Sequence, residues 1–237
     1  GTGWMDECGT CFGDNSLCTD CAGVPNGTQI EDIDGNCCYE NDLDQCGICY
    51  GNGFSCQEPK NVFISEFSFN YIEIFNASDE VVDMQYYSIA YVNNEPDSPG
   101  NPDGILYDYY GTLPLLSPGD VYVVCHTTND HPECDYVTSW FPYGGNDSFC
   151  LTFGGSSDYD YEDPHWLDCI GDFDIWPGWG SGGWDMCGEV GTDTDSEKNF
   201  VRKIWVAEGN VDWWESSNSE TCEWDIYSDY EDTLGEH

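Results

Sequence analysis

The stretch Val62-Phe63-Ile64-Ser65-Glu66-Phe67, followed by Tyr71-Ile72-Glu73-Ile74-Phe75, decides the fold of the larger part of this 237-residue chain. Both runs are rich in β-branched and aromatic residues, and turn-forming residues separate them, which is typical of short β-strands. Four further runs of this kind follow, at residues 121–124, 149–153, 200–205 and 222–227. Strong helix formers are scarce, since the chain has only four Ala and three Lys. The sequence therefore predicts an all-β domain, built as a sandwich or a barrel.

The residues before these strands have a different composition. Nine of the fifteen cysteines lie between residues 8 and 56, where Gly, Asn and Asp are frequent and apolar periodicity is nearly absent. Such a segment cannot bury a core of its own and needs covalent cross-links. Asp6-Glu7-Cys8-Gly9-Thr10-Cys11-Phe12-Gly13 also aligns with Asp44-Gln45-Cys46-Gly47-Ile48-Cys49-Tyr50-Gly51. We therefore predict a loop-dominated repeat stalk at residues 1–58, with copies near 6–18 and 44–56, and a β domain at residues 61–237.

The cysteines predict disulfides and an oxidising compartment, because so high a density persists only outside reducing cytosol. Zinc is the alternative for the two C-x2-C pairs between residues 8 and 21, but their six-residue spacer is short for a zinc ribbon. Fifteen is an odd number, so we expect at least one unpaired thiol, and we place it in residues 8–56. The disulfide candidates are Cys8, Cys11, Cys18, Cys21, Cys37, Cys38, Cys46, Cys49, Cys56, Cys125, Cys134, Cys150, Cys169, Cys187 and Cys222.

The charge of the chain excludes several classes of partner. Four Lys and Arg stand against 47 Asp and Glu, which gives a formal net charge of −43. Nucleic acids are held by basic residues that neutralise phosphates, and anionic membranes attract the same residues, so we expect neither nucleic-acid binding nor membrane insertion. Disorder is disfavoured, because aromatic residues make up 16% of the chain.

Other signals agree with an extracellular or cell-surface location. The sequons at Asn26, Asn76 and Asn146 are candidate glycosylation sites. No apolar run approaches the length of a membrane helix. The chain begins Gly1-Thr2-Gly3 without Met or a signal peptide, so we interpret it as a mature product or as an excerpt of a longer protein.

Both parts of the chain resemble known extracellular families. The first part resembles the short D-x-CGxCxG repeats of extracellular surface proteins. The second, across residues 61–237, resembles an extracellular lamin tail domain. The resemblance is carried by the opening strands and by Leu116-Ser117-Pro118-Gly119-Asp120-Val121-Tyr122-Val123, Gly144-Gly145-Asn146-Asp147, Gly183-Trp184-Asp185 and Phe200-Val201-Arg202-Lys203. It implies an immunoglobulin-like β-sandwich without catalytic residues that serves binding and assembly. Six embedded cysteines and long acidic loops depart from the family pattern.

Two acidic stretches are candidate calcium sites. Asp32, Asp34 and Asn36 alternate around Gly35, and Asp158, Asp160 and Glu162 form the second group. Ca²⁺ prefers six to eight hard oxygen ligands, and neither stretch completes a twelve-residue calcium loop. The alternative is that the carboxylates are solvated and that divalent ions screen them diffusely. We expect Ca²⁺ or no cofactor.

The few basic residues and the tryptophans are candidate contact groups. Lys198, Arg202 and Lys203 lie within six residues, and they either pair with the carboxylates of a neighbouring subunit or are held by local acids. A second group of side chains forms a sugar-stacking platform, an interface or part of the core: Trp176, Trp179, Trp184, Trp213 and Trp214. The four histidines lie in no recognised catalytic motif, so we expect no enzymatic activity.

These observations favour a secreted structural protein, the subunit of an extracellular filament or matrix that self-associates as a homopolymer. The alternative is an adhesion or carbohydrate-binding module of a larger secreted protein, with glycans as its partners.

Overall fold

In a computed structural model, the chain forms two compact units, Gly1–Glu58 and Pro59–His237. The described residues are 3–51, 53, 56–68, 70–94, 103–105, 115–128, 131–139, 146–153, 165–178, 183–190 and 198–227. The first unit has little regular structure. It contains one antiparallel pair, β1 (Gln29–Glu31) and β2 (Cys37–Tyr39), and one 3₁₀ turn (Glu40–Asp42).

The second unit is built on two β-sheets, which confirms the prediction of an all-β domain. The six-stranded sheet has the order β10 (Tyr136–Thr138), β9 (Val121–His126), β4 (Tyr71–Asn76), β3 (Val62–Ser68), β15 (Asn199–Arg202) and β16 (Trp224–Tyr227). The four-stranded sheet has the order β12 (His165–Ile170), β11 (Ser148–Phe153), β6 (Tyr87–Val92) and β7 (Gly104–Ile105). All neighbours are antiparallel except β10 and β9, which are parallel.

Short elements complete the second unit. Two-residue strands pair as β5 (Val82–Asp83) with β8 (Leu115–Leu116), and as β13 (Asp185–Met186) with β14 (Glu189–Val190). The helical pieces are a 3₁₀ turn (Met84–Tyr86) and α1 (Trp213–Ser216). Asp212 caps α1 by accepting a hydrogen bond from the Glu215 amide. No helix in the described part of the chain is long and apolar enough to cross a membrane.

The main hydrophobic cluster lies between the two sheets. Ile64 and Ile72 reach it from the six-stranded sheet, and Ile89 and Leu151 reach it from the four-stranded sheet. All four are buried, as the inward positions of alternating strands require. The strands predicted at residues 62–64, 71–75, 121–124 and 149–153 are therefore confirmed, and their inward residues form the core.

The last predicted strands are shorter than expected. β15 ends at Arg202 rather than at Trp205, and the two residues beyond Lys203 project into solvent. Ile204 is 94% exposed and Trp205 is 63% exposed. The run Phe200–Trp205 thus contains the last three residues of β15, followed by an exposed apolar turn.

A buried polar cluster lies on the six-stranded sheet. Glu66 accepts hydrogen bonds from the Tyr71 hydroxyl and from Nδ2 of Asn199, the latter at 2.6 Å. Glu73 lies opposite Glu66 on the neighbouring strand and accepts from the Ser65 hydroxyl at 2.7 Å. Both carboxyl groups are fully buried, so their hydrogen bonds are needed to offset the loss of water.

Candidate functional site: an array of cross-linked aspartate turns

The described residues of the first unit include four turns of the same geometry, although the cysteine pattern of the sequence shows only two. Each turn starts at an aspartate and has a glycine three residues later, and the four aspartates are Asp6, Asp20, Asp32 and Asp44. In each turn the glycine amide donates to the aspartate carbonyl, at 2.9–3.1 Å. The glycines have φ between +76° and +85°, a region that L-residues with a side chain rarely adopt. Because both residues recur at every turn, they are the local determinant of the array.

The aspartate side chain closes each turn. One carboxylate oxygen accepts from the amide four residues later, at 2.6 Å from Thr10, 2.9 Å from Val24, 2.7 Å from Asn36 and 3.0 Å from Ile48. The other oxygen accepts from a more distant amide, at 2.7–3.1 Å in all four turns. These carboxylates replace the hydrogen bonds of a regular ladder, which explains how the segment folds with almost no strand.

The amide donors lower the pKa values of three of these carboxyl groups. The hydrogen bond from Val24 holds the pKa of Asp20 below its usual value, and the one from Ile48 does the same for Asp44. The hydrogen bond from Cys49 lowers the pKa of Asp32. Donated hydrogen bonds stabilise the ionised carboxylate, so the turns at Asp20, Asp32 and Asp44 are each built around a charged aspartate.

A second glycine keeps space for the carboxylate. It lies seven residues after the aspartate in three turns, at Gly13, Gly27 and Gly51. A Cβ atom at any of the three would overlap the carboxylate of its turn. The third turn has Tyr39 at this position, and there the second oxygen bonds to Cys49, seventeen residues away, instead of an amide nine residues away. All four turns therefore share Asp with Gly at the third following position, and three of them add Gly at the seventh.

Disulfides join the turns to one another. Fourteen of the fifteen cysteines form seven disulfides, which confirms the disulfide-rich prediction and excludes zinc binding by the bonded cysteines. Seven disulfides are typical of an oxidising, extracellular-type environment. The pairs are Cys8–Cys18, Cys21–Cys37, Cys38–Cys49, Cys46–Cys56, Cys125–Cys134, Cys150–Cys169 and Cys187–Cys222.

Cys11 is the one cysteine left unpaired, and its side chain is exposed. This confirms that the odd thiol lies in residues 8–56 and corrects the assignment of Cys11 as a disulfide cysteine. Cys11 lies five residues after Asp6, and Cys37 and Cys49 occupy the same position after Asp32 and Asp44. Cys37 bonds to Cys21 and Cys49 bonds to Cys38, so each is joined to the turn before its own. Cys11 is thus the free counterpart of two cross-linking cysteines.

Exposed apolar residues lie beside Cys11 in the chain and on the segment that pairs with it. Trp4 and Phe12 contact each other edge to face, with ring centroids 6.3 Å apart, and they are 58% and 70% exposed. Met5, which pairs with Cys11 in a β-bridge, is 62% exposed. The first turn therefore presents a thiol next to exposed apolar residues.

In the first calcium candidate, the Asp32 carboxylate closes its own turn. Asp32 accepts hydrogen bonds from the amides of Asp34, Asn36 and Cys49, and from Nδ2 of Asn36. These four donors take up the acceptor capacity of the carboxylate and point their positive ends at the place where a cation would bind. No group of three metal-ligating side chains occurs among the residues that the structure describes. The second candidate, Asp158, Asp160 and Glu162, lies outside the described residues.

The three sequons differ in accessibility. Asn76 is fully buried, and its Nδ2 donates to the carbonyls of Glu80 and Leu116, both at 2.9 Å. A glycan needs this nitrogen in solvent, so the prediction of glycosylation at Asn76 is wrong for the folded protein. Asn26 is exposed and Asn146 is partly exposed, and both stay candidates.

The basic residues do not form the exposed interface group that the sequence predicts. Arg202 is buried: it pairs with Asp168, donates to Glu223 at 2.7 Å and lies 4.1 Å from the ring centroid of Trp224. Its assignment to an interface is therefore wrong, because neighbouring acids enclose the guanidinium. Lys203 is partly buried and donates to the Cys222 carbonyl at 2.9 Å, while Lys198 is also partly buried.

The predicted tryptophan platform is divided between core and surface. Trp184 and Trp213 are each 2% exposed and belong to the main hydrophobic cluster, so they are core residues. Trp214 is 49% exposed and Trp176 is partly buried. Trp179 lies outside the described residues.

Compared with known protein families, the chain matches none, and no curated protein is significantly similar to it.

Proposed function

We propose that this protein is a non-catalytic, secreted structural subunit that self-associates in an extracellular filament or matrix. The observation that carries the proposal is the exposed Cys11 thiol, at a repeat position whose counterparts Cys37 and Cys49 each cross-link one turn to the preceding turn. Disulfides of this kind link successive turns of the array, and the corresponding cysteine of the first turn is unpaired. The first turn can therefore form the same kind of disulfide with another segment that carries a cysteine. The exposed apolar residues next to Cys11 support such a contact.

A single thiol links only two chains, so a filament needs a second, non-covalent contact. The six-stranded sheet offers its two outer strands, β10 and β16. Tyr136 and Val137 of β10 are 37% and 50% exposed, and outer strands with exposed apolar residues favour pairing with another chain. The apolar turn at Ile204 and Trp205 is a further contact candidate.

The β domain is proposed to be an immunoglobulin-like sandwich of the lamin tail type. Two sheets share one core, and strands appear at most of the positions that carry the resemblance. The high charge is proposed to be screened by divalent ions in solution. Glycans are proposed at Asn26 and Asn146.

The test is the behaviour of Cys11→Ser in purified material kept without reductant. The wild-type chain is expected to form disulfide-linked species on non-reducing gels and filaments in electron micrographs, and the variant is expected to lose the linked species. Ser16→Ala, a change at an exposed neighbouring position, should leave both unchanged. A wild-type protein that stays a dispersed monomer, with Cys11 fully alkylated by N-ethylmaleimide, would overturn the proposal.

A further inference from the structure

An aromatic and acidic cleft of about 380 Å³ opens on the β domain. Trp166 of β12, Phe173 and Trp214 of α1 line it, together with three carboxylates. The carboxylates belong to Asp172, Asp174 and Asp212. The volume is within the range of small-molecule binding sites. The proposed assembly role does not use this cleft, so an inference about the cleft stands independently of that role.

The aromatic walls are held in place before any ligand arrives. The rings of Trp166 and Phe173 are nearly perpendicular, at 81°, with centroids 5.1 Å apart. Trp214 donates from Nε1 to Asp172 at 2.7 Å, and its ring lies 6.2 Å from that of Trp184 in the core. Binding therefore needs little ordering of side chains, which favours affinity.

The charge of the cleft is negative and is not neutralised by its own lining. Asp172 is oriented by the Asp174 amide, which donates to it at 2.7 Å. No Lys or Arg is among the lining residues that the structure describes. Three of the four basic residues of the chain are engaged elsewhere: Lys60 with Glu80, Arg202 with Asp168 and Lys203 with the Cys222 carbonyl. The cleft therefore attracts a cation, and the overall charge of −43 strengthens this attraction.

We infer that the cleft binds an organic cation, a methylated ammonium group. The negative faces of aromatic rings attract such groups, and carboxylates add Coulomb attraction at close range. A metal ion is less suited, because it needs several oxygen ligands in its coordination sphere and the aromatic walls supply none. A neutral sugar would stack on the rings but would gain nothing from the charge of the three carboxylates.

The test is calorimetric titration of the full chain with choline and with 3,3-dimethylbutan-1-ol, its uncharged isostere. Choline is expected to bind about tenfold or more tightly than the isostere. Its affinity should fall when NaCl is raised from 20 to 500 mM, because the Debye length then shortens to between about 3 and 10 Å and the carboxylates are screened. Equal affinity for the two compounds would overturn the inference. So would the absence of choline binding, or binding of a neutral disaccharide instead.

Variants locate the binding. Trp214→Ala and Asp174→Asn are each expected to weaken choline about two- to fivefold. Trp205→Ala removes a comparably exposed tryptophan that does not line the cleft, and it should leave the affinity unchanged. Circular dichroism shows whether each variant is folded, and Asp174 is exposed, so its substitution leaves the core intact. Unchanged affinity in both folded cleft variants would place the binding elsewhere and refute the site, whatever the outcome of the assembly test.

Discussion

Removal of the Asp168 carboxylate is expected to destabilise the β domain more than any surface substitution. Asp168 of β12 pairs with Arg202 of β15, so the pair connects the four-stranded sheet to the six-stranded sheet. The side chains of both residues are fully buried. Asp168 also accepts from the Ile64 amide at 2.8 Å and from the Asn210 amide at 2.9 Å. Asp168→Ala therefore leaves two amides without this acceptor and a buried guanidinium with one acidic partner.

The expected cost of Asp168→Ala is about 4 kcal/mol, because breaking a buried ion pair costs about 3–5 kcal/mol and orphaned amides add to it. Glu223 still faces Arg202 at 2.7 Å, which keeps the cost within that range. The matched control is Glu80→Ala. It breaks the surface pair between Lys60 and Glu80, whose side chains are 36% and 61% exposed, and should cost less than about 1 kcal/mol.

The assay is urea unfolding without reductant, monitored by tryptophan fluorescence. The free energies of unfolding are compared between variants that have equal m-values. A double variant separates the ion pair from the loss of packing. The double variant Asp168→Ala/Arg202→Met leaves no orphaned guanidinium. Its loss of unfolding free energy should therefore be at least about 2 kcal/mol smaller than the sum of the losses in the two single variants. Additive costs, or a cost for Asp168→Ala no greater than that for Glu80→Ala, would refute the reasoning.

Three further predictions concern pH and backbone geometry. Burial raises the pKa of Asp147 from 3.8 to about 6, so the folded state keeps a proton that the unfolded state releases, and stability falls as the pH rises through that window. Asp147→Asn should remove about 2 kcal/mol of this pH dependence between pH 4 and 7 in urea unfolding, and an unchanged dependence would contradict the assignment. The pKa of Asp44 is lowered by the Ile48 amide, so its turn is stabilised above the usual carboxyl pKa and loses this contribution as the pH falls through the lowered value. Exchange protection of the Ile48 amide, corrected for intrinsic rates, should fall in acid, and constant protection would argue against this role. Gly51→Ala should displace the Asp44 carboxylate and speed the reduction of the Cys46–Cys56 disulfide. The control is Tyr39→Ala, at the corresponding position of the third turn, which should leave the reduction rate unchanged. Equal reduction rates in the two variants would contradict the motif.

The aspartate turns show how a strong local signal can be missed. The cysteine pattern identifies only the turns at Asp6 and Asp44, because only these two share the D-x-C-G-x-C spacing. The turns at Asp20 and Asp32 have the same hydrogen bonds but different cysteine positions. Asp followed by Gly at the third position, repeated every 12–14 residues, is the sequence signal that all four turns share. At Asp32, amide donors occupy the carboxylate that the alternating acidic residues offer as a calcium ligand.

The sequence alone determined the features that depend on near neighbours. Alternation of apolar residues predicts the strands at residues 62–64 and 71–75, and aspartate and glycine spacing suffices for the turns, because most of their hydrogen bonds join residues within nine positions. Only the tertiary structure decided the burial of Arg202, the accessibility of Asn76 and the partners of the cysteines. Arg202 contacts Asp168 across 34 residues and Ile64 across 138, and no local pattern records which distant carboxylate encloses a cation. Charge and composition are properties of the chain, but whether a charged group meets solvent or an enclosed partner is settled by the packing of the sheets.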